Sequence, residues 1–172
     1  MEHRDLAKVG VAGTIEGIHL ATAMGGATEP RRSARALAGR GLEGDRYASG
    51  AGFYSAVPAR PGARQLTLIA GEALDDLFAR TGIRLEPGEQ RRNLVTRGVD
   101  LNALVGVPFR IGEVSCLGVA LCEPCARLVE LTGKEVLEPL VHRGGLRAAI
   151  LTDGTIRVGD EIAPSEPSSP QA

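Results

Sequence analysis

The chain has 172 residues, enough for one compact domain with a full hydrophobic core and short of what two would need. Apolar residues make up 43% and charged residues 24%, which excludes pervasive disorder; with 3% aromatic content and no Trp, the core falls to Val, Leu, Ile and Ala. Lys plus Arg number 20 against 21 Asp plus Glu, so no general electrostatic pull exists toward nucleic acid or an anionic membrane, and neither is expected as a partner.

The first predicted element is a strand from Lys8 to Ile18, where Val9, Val11, Ile15 and Ile18 alternate with glycines. Leu66 to Ala70 reads as a buried strand. Leu74, Leu77 and Phe78 then fall at helical spacing, predicting a short helix from Glu72 to Arg80 that stops near Gly82. Gln90 to Val95 reads as a strand, and Asp100 to Leu104 as a turn. Val107 to Ile111 and Val114 to Leu121 form a hairpin around Gly112-Glu113. Pro124 suits the first turn of a helix carrying Leu128, Val129 and Leu131, and a further short helix is expected over Lys134 to Val141. Leu146 to Leu151 and Ile156 to Val158, joined through Asp153-Gly154, read as a second hairpin. The stretch from Pro164 to Ala172 is expected to be a disordered tail after a single domain over 1–163. Many short strands without regular βαβ alternation predict a mainly β, barrel-like fold with a few short peripheral helices.

No run of about 18 apolar residues is present, so no membrane span is expected. The charged opening Met1-Glu-His-Arg-Asp5 lacks the apolar run of a secretory signal, and the cysteine count is odd: Cys116, Cys122 and Cys125. Together these predict reduced thiols and a cytoplasmic location.

The chemistry concentrates at Cys122-Glu-Pro-Cys125. A thiol at the start of a helix faces unpaired N–H groups and the positive end of the helix dipole, which favour thiolate. Cys125 is therefore a candidate nucleophile, sulfur carrier or soft-metal ligand. The alternative is a small buried hydrophobe. Cys-x-x-Cys spacing also suits a redox dithiol or half of a zinc site, but His3, His19 and His142 are not at finger-like spacing and no βαβ context is present. Only Lys8 and Lys134 are lysines, so the basic residues are overwhelmingly arginine, whose planar fork suits phosphate and carboxylate. Arg91-Arg92-Asn93, Asp45-Arg46 and His142-Arg143-Gly144-Gly145 form a second constellation, in which arginines and glycine-rich turns could meet an anionic cofactor. No GxxxxGK[ST], GxGxxG or GxSxG motif occurs, which disfavours nucleotide-dependent and hydrolase chemistry.

The ordered series Gly41-Leu-Glu-Gly-Asp-Arg-Tyr47, Gln65-Leu-Thr-Leu-Ile69, Arg92-Asn-Leu-Val-Thr-Arg-Gly98, Gly106-Val-Pro-Phe-Arg-Ile-Gly112, Glu123-Pro-Cys125, His142-Arg-Gly-Gly-Leu-Arg-Ala148 and Val158-Gly-Asp160 resembles the molybdenum cofactor sulfurase C-terminal (MOSC) domain, in a form similar to stand-alone bacterial members. The resemblance implies a closed β-barrel similar to the barrel domain of pyruvate kinase. It implies a molybdopterin-type molybdenum cofactor, with Cys125 matching the family cysteine that ligates molybdenum and Arg92-Asn93 matching the family's Arg-Asn pair. The implied activity is reduction of N-hydroxylated small molecules, with electrons from a separate reductase. In that reading Arg92, Asn93, Asp45, Arg46, His142 and Arg143 hold the cofactor, Arg92 foremost on its phosphate. The rival reading is a sulfur-carrier module, in which Cys125 takes a persulfide from a cysteine desulfurase and Cys122 resolves it. These 172 residues are expected to contain neither the pyridoxal-phosphate desulfurase domain of full sulfurases nor the N-terminal barrel of amidoxime-reducing relatives.

Overall fold

The structure is a computed structural model that describes residues 12–165. Inward-facing aliphatics set at every second position bend a single sheet until its edges meet. The strands are β1 (Gly13–Leu20), β2 (Glu29–Arg31), β3 (Ser33–Leu37), β4 (Gly41–Leu42), β5 (Leu66–Ala70), β6 (Leu94–Arg97), β7 (Pro108–Ile111), β8 (Val114–Leu121), β9 (Leu146–Ile150), β10 (Gly154–Arg157) and β11 (Glu161–Pro164). Seven of them run β11-β7-β8-β9-β5-β6-β1, and β1 returns to β11 through Gly13 opposite Ile162, closing a barrel. Closure removes the sheet edges that would otherwise expose unpaired backbone groups. The mainly β, closed-barrel expectation is met. Ile15, Leu66, Leu68, Leu94, Phe109, Ile111, Val114, Leu146, Ala148, Ile150 and Ile162 fill the interior.

The single parallel step in the barrel joins β5 to β6. Parallel neighbours need a crossover, and α1 (Gly71–Thr81) is part of it, ended by Gly82 at φ 74° with its N–H on the Phe78 carbonyl. The helix expected over Glu72 to Arg80 is thus present. A second helix, α2 (Ala126–Thr132), packs with α1 through Leu77, Leu128, Val136 and Leu140. A separate small sheet, β10-β3-β4, lies outside the barrel.

Four expectations are corrected. The strand predicted at Gln90 starts only at Leu94, because Arg91 sits at φ 59° and breaks the extended run. Pro124 lies two residues before α2 rather than in its first turn, and Cys125 is the N-cap. Lys134 to Val141 forms turns instead of a helix, since Pro139 has no N–H to donate and restricts Glu138. Leu146 to Val158 is not a hairpin: β9 is paired on both sides by β5 and β8, so β10 adds to β3 instead. Of the predicted first strand, residues 8–11 lie outside the described residues. β11 runs through Pro164, the Ser165 N–H donates to the Pro108 carbonyl, and the rest of the expected tail, 166–172, lies outside the described residues. Among the described residues, no helix is long and apolar enough to cross a membrane.

The Gly144-Gly145 pair has a packing role. A Cβ on Gly144 would stand 2.4 Å from the Cys122 carbonyl oxygen, and one on Gly145, at φ 118°, would stand 1.9 Å from the Leu68 carbonyl oxygen. The two glycines let this loop lie flat against the Cys122–Pro124 segment and β5, with the Cys122 N–H bonded to the Gly145 carbonyl at 2.7 Å. Gly145→Ala therefore combines backbone strain with a steric clash, and a loss of about 3 kcal/mol is expected. Urea unfolding checks this; an unchanged midpoint would contradict it.

Candidate functional site

Cys125 opens onto a cleft of about 660 Å³, its mouth included, at one end of the barrel. It is the one partly exposed thiol, since Cys116 and Cys122 are buried. Its backbone carbonyl starts α2, accepting from the Leu128 and Val129 N–H groups, but its side chain makes no capping bond. The expected contact of the sulfur with helix N–H groups is thus not what positions it. The Cys125 side chain instead neighbours Tyr54, and this neighbour, with burial, holds the Tyr54 phenol above its usual pKa of 10.0.

Five arginines line the cleft: Arg46, Arg91, Arg92, Arg127 and Arg147. The one acid in the lining, Glu123, has its carboxylate turned to the His142 backbone N–H at 3.0 Å. Arg127 stacks over Phe53 at 4.4 Å and Arg46 over Tyr47 at 4.8 Å, so aromatic faces hold the guanidiniums in place. Burial, then Arg46 and Arg127 nearby, lower the pKa of Arg91. The Nε atoms of Arg91 and Arg127 are buried and have no hydrogen-bond partner among the described residues. An unmet buried donor of this kind costs about 1–3 kcal/mol. Clustered guanidiniums with an unmet Nε donor favour a nearby anion.

The predicted cofactor residues separate into three groups. Arg46 lines the cleft. Arg92 and Asn93 reach it but spend their polar atoms internally. Arg92 donates from Nε to the Gly144 carbonyl at 2.9 Å, from Nη1 to Gln90 at 3.4 Å, and from Nη2 to Cys122 and Glu123 at 3.2 and 3.4 Å. Asn93 accepts from the Thr67 N–H and hydroxyl, both at 3.2 Å, and donates to the His19 carbonyl and Asp45 carboxylate. Asp45 is buried behind them, accepting also from the Ala21 and Tyr47 N–H groups and from Arg46. These three residues brace the cleft, and the picture of Arg92 as foremost phosphate holder gives way to Arg92 as the clamp on the Cys122–Glu123 segment. His142 and Arg143 stand on a different groove, beyond the cleft lining. His142 is exposed at φ 61° beside Glu123, and Arg143 pairs with Asp76.

Sequence reasoning missed Tyr54, Arg127 and Arg147. A signal was available: both tyrosines and one of three phenylalanines fall between β4 and β5, in a stretch with no other sign of regular structure.

The three thiols should react unequally. Burial pushes the Cys116 thiol up to about 12, and Cys122 is only 2% exposed. Under native conditions, iodoacetamide at pH 8 is expected to label Cys125 alone by peptide mass mapping. Labelling of Cys116 at a comparable rate would contradict the packing described.

These features define a closed-barrel protein whose one partly exposed thiol stands in an arginine-lined cleft. The profile of the MOSC domain matches residues 33–163, and the chain belongs to that family. Among solved structures the fold is similar to the YuaD protein of Bacillus subtilis, with 20% identity and TM-score 0.72 over 88% of this chain and 94% of that one. It is also similar to YiiM from Escherichia coli (15%, TM-score 0.65, 92% and 72%) and to YiiM from Geobacillus stearothermophilus (12%, TM-score 0.60, 90% and 73%). No curated protein matches by sequence.

Proposed function

We propose that this MOSC protein binds a molybdopterin-type cofactor in the cleft, with the Cys125 thiolate on molybdenum, and reduces N-hydroxylated small molecules. The observation that carries the reading is one accessible thiol beside guanidinium donors that lack acceptors. Thiolate is a soft ligand suited to such a metal. Among the described residues no three His, Cys, Asp or Glu side chains are grouped to hold a metal ion. A metal here would take most of its ligands from the cofactor. When bound, that group would supply the two-electron chemistry that removes oxygen from an N–O bond, recharged by a separate reductase.

The chain's own residues bind and orient. Arg46, Arg91, Arg127 and Arg147 would hold the cofactor's phosphate and polar edge. Tyr54 would present its phenol O–H beside the Cys125 sulfur. Arg92 and Asn93 fix the walls. Protein loaded with the cofactor and supplied with a chemical reductant is expected to convert an aromatic hydroxylamine or amidoxime to its amine. Loaded protein that turns over none of these compounds would overturn the assigned reaction.

Both Cys122 and Cys125 line the cleft, which favours the sulfur-carrier module as the second reading. A carrier would purify without metal and show a mass gain of one sulfur on Cys125.

A further inference from the structure

Cys125 also borders a second pocket of about 510 Å³, mouth included, lined by Tyr54, Ala59, Ala63, Arg64, Cys125 and Arg147. Tyr54, Cys125 and Arg147 belong to both linings and so form the partition between pocket and cleft. Arg64 belongs to the pocket alone. Its Nη1 is buried and has no hydrogen-bond partner among the described residues, and its guanidinium lies 5.9 Å from the centre of the Tyr54 ring. On the other wall, Arg147 donates from Nη1 to the Ala63 carbonyl at 3.4 Å, which ties β9 to the loop carrying Arg64. No acid lines the pocket, and the small Ala59 and Ala63 leave its floor open. A guanidinium donor buried without an acceptor is unfavourable, and a carboxylate or phosphate oxygen is the acceptor its geometry suits.

We propose that this pocket is an anion subsite, in which Arg64 and Arg147 take the carboxylate or phosphate of a small molecule and hold its other end against Cys125. Anion binding stands on the pocket itself. Its role as the anchor of an acidic, N-hydroxylated substrate rests on the function proposed above.

The test uses the full chain from a host that makes no pterin cofactor. Cys125 is alkylated in parallel by iodoacetate and iodoacetamide. In each reaction the thiolate attacks the methylene carbon and iodide leaves, and the reagents differ only in carboxylate against amide. The iodoacetate-to-iodoacetamide rate ratio at Cys125 is expected to exceed that of free cysteine by about tenfold, the scale of one charge-assisted hydrogen bond. Arg64→Gln, with an unchanged circular dichroism spectrum, is expected to lower the ratio several-fold, the remainder coming from Arg147 and the cleft arginines. Inorganic phosphate is expected to slow the iodoacetate reaction of the wild-type chain saturably. A wild-type ratio equal to that of free cysteine, or a raised ratio left unchanged by Arg64→Gln, overturns the proposal. If Arg64→Gln fails to fold, absence of saturable phosphate protection overturns it. Because no cofactor is present, none of these results depends on whether the cleft binds molybdenum.

Discussion

Cys125→Ala is expected to leave the fold intact and to lower cofactor-dependent turnover by more than about 100-fold. The magnitude follows from chemistry: altering a residue that merely supports a metal ligand typically costs 10–100-fold, and here the protein's own ligand is removed. Stability should hardly change. The side chain is partly exposed, makes no capping bond to α2 and lies outside the barrel interior, so the loss should stay below about 1 kcal/mol. The measurement is turnover beside a thermal melt on the same preparation. Wild-type turnover in Cys125→Ala would remove the thiol from the mechanism.

Arg92→Ala is expected to be the most destabilising substitution near the site. Its guanidinium joins the carbonyls of Gln90, Cys122, Glu123 and Gly144, which come from three separate segments of chain. Removing it strips these carbonyls of their donor and leaves a void in a region only 7% exposed. Hydrogen bonds from a charged donor are worth about 1.5–3 kcal/mol each but do not add, so a loss of about 3–5 kcal/mol is expected. For a chain of this size that corresponds to a fall in Tm of about 10 °C or more. Arg92→Lys should recover little, because one ammonium cannot span the fork. Iodoacetamide labelling of Cys122 should rise in either variant as its segment loosens. A melting temperature within 2 °C (about 1 kcal/mol or less) of wild type would show that the clamp carries no such energy.

Strongly apolar strands were legible in the sequence: Leu66–Ala70 as a short buried run, and the Pro108–Leu121 hairpin by its period-two pattern. So was α1, where helical spacing and a terminating glycine agree. The pattern failed where tertiary context decides. Gln90–Asn93 carries no glycine or proline to announce the positive φ at Arg91. Gly154–Arg157 has a convincing hairpin turn before it, yet both edges of β9 are already taken. The short β2 and β4 have too few residues to show any period, and β3 alternates with alanines too small to stand out as a buried face.

At the candidate site, Cys125 stood out in the sequence because a thiol at a helix start is chemically distinctive, and the structure adds that it is the partly exposed one of the three. The roles of the arginines were not. Sequence placed Arg92 and His142 with Arg143 at the anion; the fold turns Arg92 inward to carbonyls and sends the other two to another groove. Arg127 and Arg147, in α2 and β9, carry no local signal that sets them apart. Only the closing of the barrel, with the aromatic loop between β4 and β5 folded over it, brings them to the same cleft.

Elemental analysis for molybdenum, with fluorescence of the oxidised pterin, tests the central claim most directly. The protein should come from a host competent in cofactor synthesis. Metal and pterin are expected together at near-stoichiometric amounts, with the metal lost in Cys125→Ala. Wild-type protein from that host carrying neither would contradict the account and direct attention to a sulfur adduct on Cys125.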